Sequence, residues 1–263
     1  MKDIAEKIVD ILRRKGYRSV VDLASELRVS DMTVRRHLER LAAEGGQVRR
    51  VFGGAFLGDE MTEVDYRVRD SVGLAEKRAI GRAAYAMIQP GESIFIDAGT
   101  TAAQLALAVD DTKRISVVTN SLVVMQSLEQ KANVETFVLG GRLHAPTASL
   151  VGYMAVEAAS QFRFAKAFLG TNGIDGAGLT QANIDEVPIK KVVAANAKEV
   201  IVLADSRKFD SDRLFFFLAI EQVHTLVTDP GIPEKYLKEF AERGVRIVIA
   251  EPEDDDSGNR EDR

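Results

Sequence analysis

The stretch Ile94-Phe95-Ile96-Asp97-Ala98-Gly99-Thr100-Thr101, continued by Ala102-Ala103-Gln104-Leu105-Ala106-Leu107-Ala108, constrains the fold of this chain most. A short unbroken apolar run, a small polar turn and an alanine-rich segment at helical spacing describe a buried parallel strand feeding a helix. Such turns are where open α/β sheets bind ligands. The N–H groups of Gly99, Thr100 and Thr101 would be first-turn donors without intrahelical partners, and the helix dipole adds partial positive charge, so an anion is favoured there. Two hydroxyls beside those amides suit a phosphate; taken alone, a Thr-Thr pair fits simple helix capping equally well.

The pattern recurs. Ile115-Ser116-Val117-Val118 reads as a second strand ending in Thr119-Asn120-Ser121, ahead of a helix over 122–130. Thr136-Phe137-Val138-Leu139 is a third, ending in Gly140-Gly141-Arg142, where glycine permits close backbone approach and Arg142 can pair with an anion. Lys166-Ala167-Phe168-Leu169 ends in Gly170-Thr171-Asn172-Gly173-Ile174-Asp175, and Val200-Ile201-Val202-Leu203-Ala204 ends in Asp205-Ser206-Arg207-Lys208-Phe209. Between them Gly178-Leu179-Thr180 leads to Asp185-Glu186 and a helix carrying Lys190. Two last strands, at 225–227 and 245–250, alternate with a helix after Pro233. The alternation predicts an α/β domain over 76–250 with a mostly parallel sheet, whose strand ends lie side by side and bring the turns to one pocket.

Charge separates this body from what precedes it. Residues 1–57 carry 12 Lys/Arg against 8 Asp/Glu, whereas the remainder carries 23 against 32. A basic module on an acidic body is predicted. Ile4, Ile8, Ile11 and Leu12 mark a first helix closed by Gly16, and Ser19 starts a shorter second one with Val20, Leu23, Ala24 and Leu27 on one face. Arg28-Val29-Ser30 turns tightly into a third helix over 31–44, with Ser30 as N-cap and Asp31 complementing the helix dipole. There Val34, Leu38 and Leu41 face inward, so Met32, Thr33, Arg36 and Arg40 project outward with Arg35 and His37 on the flanks. This is how a recognition helix enters the major groove of double-stranded DNA, early residues facing bases and flanking arginines neutralising phosphates. Gln47-Val48-Arg49-Arg50-Val51-Phe52-Gly53-Gly54 reads as strand and turn of a basic wing. An ordinary solvated helix face is the plainer alternative.

The wording from Leu23-Ala24 through Val29-Ser30-Asp31-Met32-Thr33-Val34-Arg35-Arg36-His37-Leu38 to Arg49-Arg50-Val51-Phe52-Gly53-Gly54-Ala55 resembles the DNA-binding domain of the DeoR family of bacterial transcription regulators. An acidic residue is usual where His37 stands, so operator identity does not carry over. The body resembles the family's effector domain, similar in fold to ribose-5-phosphate isomerase and the CoA-transferase group. The matching pieces are Asp97-Ala98-Gly99-Thr100-Thr101, Thr119-Asn120-Ser121, Leu139-Gly140-Gly141, Phe168-Leu169-Gly170, Gly173-Ile174-Asp175, Gly178-Leu179-Thr180, Glu186 with Lys190, and Leu203-Ala204-Asp205 with Lys208-Phe209. Departures are Ala102 where a third Thr is frequent, Pro188 between Glu186 and Lys190, and Asp210 where Gly commonly follows Phe. The resemblance spans about residues 3–250.

It implies a winged helix-turn-helix over 1–57, a linker over 58–75 and a sugar-phosphate-sensing domain. The regulator would most often be a repressor, and it would act on a sugar catabolic operon. Ser19, Ser30, Met32, Thr33, Arg35, Arg36, His37, Arg40, Arg49 and Arg50 are the expected DNA contacts. The phosphate is expected against Gly99, Thr100 and Thr101 with Thr119, Asn120 and Ser121. Asp97, Asp175, Glu186 and Asp205 would accept from sugar hydroxyls, and Lys190 or Lys208 would supply positive charge; Gly141, Arg142, Gly170, Asn172 and Gly173 complete the rim. The acidic residues read as well as helix caps or as partners of Lys190, Lys191 or Lys208.

Two other readings stay open. The same carboxylates with Lys190 could serve a sugar-phosphate isomerase, although an isomerase has no need of a basic N-terminal module. Alternatively, the N-terminal helices of a metabolite-binding protein could only dimerise. With no Cys and only His37, His144 and His224, no metal or cofactor is expected. No apolar run approaches the ~20 residues of a membrane span, so the expected location is the cytoplasm. The acidic tail over 251–263 lacks apolar residues and is expected to be disordered. A single small module binds a DNA half-site weakly, so a homo-oligomer, dimer or tetramer, is expected.

Overall fold

The structure is a computed structural model that describes residues 3–15, 18–43, 48–51, 54–57 and 66–253. It forms two compact units, residues 1–72 and 73–263.

The first unit contains α1 (Ile4–Lys15), β1 (Arg18–Ser19), α2 (Val20–Leu27), α3 (Asp31–Ala43), β2 (Val48–Val51), β3 (Gly54–Leu57) and α4 (Tyr66–Ser71). Helical spacing turns Ile8, Ile11 and Leu12 of α1, Val20 and Leu23 of α2, and Val34 and Leu38 of α3 to one side, and with Val48 and Ala55 they make the core. Helix α2 begins in a capping box: Ser19 Oγ accepts from Asp22 N–H at 3.0 Å and Asp22 Oδ2 accepts from Ser19 N–H at 3.4 Å. It ends at Arg28, whose φ of 56° lets the N–H of Val29 reach Ala24 C=O at 3.0 Å and turns the chain into α3. Strand β3 pairs antiparallel with both β1 and β2, completing the wing.

Within the expected tether over 58–75 the described residues hold α4 and the start of the next helix; six residues are too few for a helical period to register in the sequence. Residues 58–65, Gly16, Glu44 and the tail from 254 onward lie outside the described residues.

The second unit runs α5 (Leu74–Ala86), β4 (Ser93–Ile96), α6 (Thr100–Ala108), β5 (Ile115–Thr119), α7 (Leu122–Leu128), β6 (Val134–Val138), β7 (Arg142–His144), β8 (Ser149–Val151), α8 (Tyr153–Ser160) and β9 (Phe164–Gly170). It continues with β10 (Gly173–Ile174), β11 (Gly178–Gln181), α9 (Val187–Ala195), β12 (Ala197–Leu203), β13 (Phe215–Ala219), β14 (Thr225–Thr228), α10 (Glu234–Glu242) and β15 (Arg246–Ile249). Seven strands form a parallel sheet in the order β15-β14-β12-β9-β4-β5-β6. Both faces of these strands are apolar because both are covered. Helices α5, α6 and α7 pack over Ile94, Ile96, Phe168, Ile201 and Leu203, while α8, α9 and α10 pack over Phe95, Ala167, Leu169 and Val202.

The strand order reverses at β4. From there the chain steps outward through β5 and β6, returns to β9 on the other side of β4, and steps outward again through β12, β14 and β15. The carboxyl ends of β4 and β9 therefore flank the switch point, where sheets of this type open a ligand crevice.

Three pieces were not legible in the sequence: the hairpin β7-β8, helix α8, and the antiparallel sheet β10-β11-β13. Gly173-Ile174, expected as turn, is strand β10, where a side chain at position 173 would overlap the backbone of Ser211.

Candidate functional site

The outward face of α3 is the candidate nucleic-acid interface. Met32 is 78% exposed, and Arg35 and Arg36 are exposed without an ion-pair partner among the described residues. Thr33 and His37 are half-buried on the flanks. Arg40 is also exposed but pairs with Asp3 at 3.1 Å, which competes with any phosphate for it. Ser19 and Ser30 are committed to helix starts, Ser30 Oγ accepting from Thr33 N–H at 3.3 Å. The backbones of Arg49 and Arg50 lie in β2, opposite Phe56 and Ala55 of β3; their side chains are outside the described atoms.

In the second unit the candidate effector site follows the carboxyl ends of β12, β9, β4 and β5. After β4, Gly99 caps α6 with φ 139° and no side-chain cap. A Cβ at Gly99 would meet nothing within 4 Å among the described residues, so the turn is uncovered there. The N–H groups of Gly99, Thr100, Thr101 and Ala102 have no acceptor among the described residues. First-turn amides without acceptors favour an anion through the helix dipole.

Asp97, one residue past β4, is buried. Its Oδ2 accepts from Gly170 N–H at 2.9 Å and from Lys190 Nζ, and Lys190 also donates to Gly170 C=O at 2.9 Å. Burial raises the Asp97 carboxyl above its ordinary range, opposed by the Lys190 charge and reinforced by Glu186. Glu186 is buried nearby, accepting from Gln181 Nε2 and from Ser149 Oγ at 3.5 Å.

At the end of β5 the three polar residues divide their roles. Thr119 Oγ1 donates to Ile96 C=O at 2.7 Å and accepts from Ser121 N–H at 3.0 Å; Ser121 Oγ caps α7 by accepting from Val124 N–H at 3.2 Å. Asn120 Nδ2 donates to Leu150 C=O at 3.2 Å, while its Oδ1 is buried without a donor among the described residues.

Other residues expected at the site have partners within the fold. A Cβ at Gly141 would lie 2.7 Å from Val151 C=O, so the close approach there is that of strand β8. Arg142 pairs with Asp185. Asn172 Oδ1 accepts from Ala182 N–H at 3.1 Å. Asp175 stands apart, closing the β10-β11 turn by accepting from Ala177 and Gly178 N–H at 2.8 and 3.0 Å. Burial pushes Asp205 up, but the hydrogen bond from Arg207 and the charges of Lys208, Arg207 and Lys77 outweigh it and hold the carboxyl below its usual range. Lys208 is half-buried beside it.

The motif reading missed Gln181, whose Oε1 is also buried without a donor among the described residues. Its signal in the sequence was only its place directly after Gly178-Leu179-Thr180. A separate depression of about 520 Å³ lies at the opposite edge of the sheet, lined by Arg114, Ser116, Asn133 and Glu135 among others. None of the residues above lines it.

Residues 5–60 match the DeoR-like helix-turn-helix domain and residues 73–230 the DeoR C terminal sensor domain. Among similar proteins, the lactose phosphotransferase system repressor of Lactococcus lactis subsp. lactis is 36% identical over 90% of this chain and 94% of its own length. The glycerol-3-phosphate regulon repressor of Escherichia coli (strain K12) is 29% identical over 92% of this chain and 96% of its own. A ribose 5 phosphate isomerase A structure from Neisseria gonorrhoeae aligns over 56% of each chain with 19% identity and a TM-score of 0.39. That last likeness has no bearing on activity. Among the described residues, no helix is long and apolar enough to cross a membrane and no acidic or histidine group is arranged to hold a metal.

Proposed function

Because the chain belongs to the DeoR family of transcription regulators, we propose that it represses a sugar-related operon and that a phosphorylated sugar in the second unit sets its hold on operator DNA. The observation that carries the reading is the cradle of unpartnered amides at Gly99, Thr100, Thr101 and Ala102, placed beside the switch point and the buried Asp97–Lys190 pair. The amides, the α6 dipole and the hydroxyls of Thr100 and Thr101 take the phosphate, and the acceptors at the ends of β4, β5 and β11 take hydroxyls. The names of both relatives, a lactose phosphotransferase system repressor and a glycerol-3-phosphate regulon repressor, support this chemistry.

Met32, Arg35 and Arg36 read DNA from α3, with Arg40, Arg49 and Arg50 on phosphates. The regulator acts in the cytoplasm as a homo-oligomer that pairs two half-sites. Fluorescence anisotropy with the promoter next to the gene tests the first half of the reading: binding must be tight and must weaken steeply with salt. A thermal-shift series of sugar phosphates against the free sugars tests the second. Equal stabilisation by both would remove the anion site.

A further inference from the structure

Two buried side-chain amide carbonyls have no donor among the described residues: Asn120 Oδ1, in a residue 1% exposed, and Gln181 Oε1, in a residue 4% exposed. They belong to one cluster. Leu150 N–H donates to Asn120 C=O at 2.8 Å, Ser149 next to it bridges to Ser121, and Ser149 also reaches Glu186, the partner of Gln181.

The orientation of each amide is settled by its neighbours. Asn120 commits Nδ2 to Leu150 C=O. For Gln181 the chain of bonds is longer. Asn183 Oδ1 accepts from Asp185 N–H at 2.9 Å, so its Nδ2 faces His144 Nε2 at 2.8 Å, and that ring nitrogen must accept. His144 Nδ1–H then donates to Thr147 Oγ1 at 2.9 Å, Thr147 to Ser149 Oγ at 2.7 Å, and Ser149 to Glu186 Oε1. Glu186 Oε1 is thus an acceptor; Gln181 turns Nε2 to Oε2 of the same carboxyl, and the Gln181 carbonyl is left over. A buried carbonyl without a donor is costly, and natural structures rarely keep one without a use.

Glu186, the partner of Gln181, also acts on Asp97 at the end of β4, so an anion on the α6 amides, as proposed above, would bring the rest of its molecule toward these acceptors. We infer that Gln181 is a specificity-determining residue: its Oε1 accepts a hydroxyl of a neutral polyhydroxy phosphate, and with Asn120 Oδ1, Asp97 and Glu186 it rejects phosphorylated sugar acids. A hydroxyl supplies the missing donor, whereas a carboxylate set against Gln181 Oε1 and Asn120 Oδ1 would face two acceptors, and the Lys190 charge nearby is already taken by Asp97.

The test is a set of binding titrations of the full-length protein, read by thermal shift, with inorganic phosphate, a panel of pentose and hexose phosphates, and 6-phosphogluconate. At least one sugar phosphate should bind more tightly than inorganic phosphate, and 6-phosphogluconate should gain nothing over it. Gln181→Met should weaken that sugar phosphate by about tenfold and leave inorganic phosphate unchanged, as expected for one lost hydrogen bond. The inference is overturned if Gln181→Met binds the sugar phosphate as the wild type does, if it loses phosphate and sugar phosphate equally, or if 6-phosphogluconate binds as well as the sugars. Should the variant not fold, the wild-type comparison with 6-phosphogluconate decides. Wild-type protein that responds to no phosphate at all would instead remove the sensor reading on which this rests.

Discussion

Lys190 of α9 and Asp97 at the end of β4 form an ion pair in which each side chain is 2% exposed. Gly170 closes the unit from both sides, its N–H on Asp97 and its C=O on Lys190. The pair thus ties α9 to the strands on either side of the switch point and fixes the floor of the crevice.

Removing one partner of such a pair leaves the other charge buried alone. Lys190→Met should lower the unfolding free energy by about 3–5 kcal/mol in urea titrations. The pH dependence has a definite sign. A carboxyl raised by burial lends stability below its unfolded value of 3.8 and loses it as pH rises through the folded value. Without Lys190 the upward push is greater, so the deficit of the variant should be larger near about pH 8 than near about pH 5. A deficit independent of pH would mean that the pair is not ionic.

Gly81 of α5 faces α6 so closely that a Cβ there would lie 2.5 Å from the carbonyl carbon of Gln104. Glycine inside a helix costs about 1 kcal/mol relative to alanine, so Gly81→Ala would ordinarily stabilise. Here the backbone of α6 must move, and the cost of about 1–3 kcal/mol exceeds that gain. The melting temperature should fall, and affinity for inorganic phosphate should fall with it, because the displaced helix carries the amide cradle. A higher melting temperature would contradict the close α5–α6 approach.

On α3, Arg36 and Arg40 differ although both are exposed. Arg36 has no ion-pair partner among the described residues, whereas Arg40 is held by Asp3. Arg36→Ala should weaken specific DNA binding by about 1–3 kcal/mol and relax sequence preference, as loss of a bidentate base contact does. Arg40→Ala should cost less and act alike on all sequences. Anisotropy with operator and scrambled duplexes separates the two outcomes.

The parallel strands were legible because both their faces are covered, which writes runs such as Ile94-Phe95-Ile96 and Val200-Ile201-Val202-Leu203. The helices of the first unit were legible from period and caps, Ser19 and Ser30 among them. Strands of two or three residues, such as β7, β8 and β10, hold too few positions to show alternation. In the site, the turn after β4 was legible from composition. The bonding of its neighbours was not: nothing in Thr119-Asn120-Ser121 says that two hydroxyls close the backbone while only Asn120 keeps an acceptor spare. Nor does Asp175 differ from Asp97 in the sequence, although a local turn consumes one and the switch point holds the other.

The account depends on a phosphate at the start of α6 governing the DNA-binding face, and one titration tests it most directly. Operator DNA bound to the full-length protein is followed by anisotropy as a stabilising sugar phosphate is added, for the wild type and for Thr100→Ala/Thr101→Ala. DNA affinity of the wild type should change by roughly 5–150-fold, the usual range of coupling between two sites. The double variant should bind the operator equally well without the sugar phosphate and respond little when it is added. A double variant that responds as the wild type does would contradict the account.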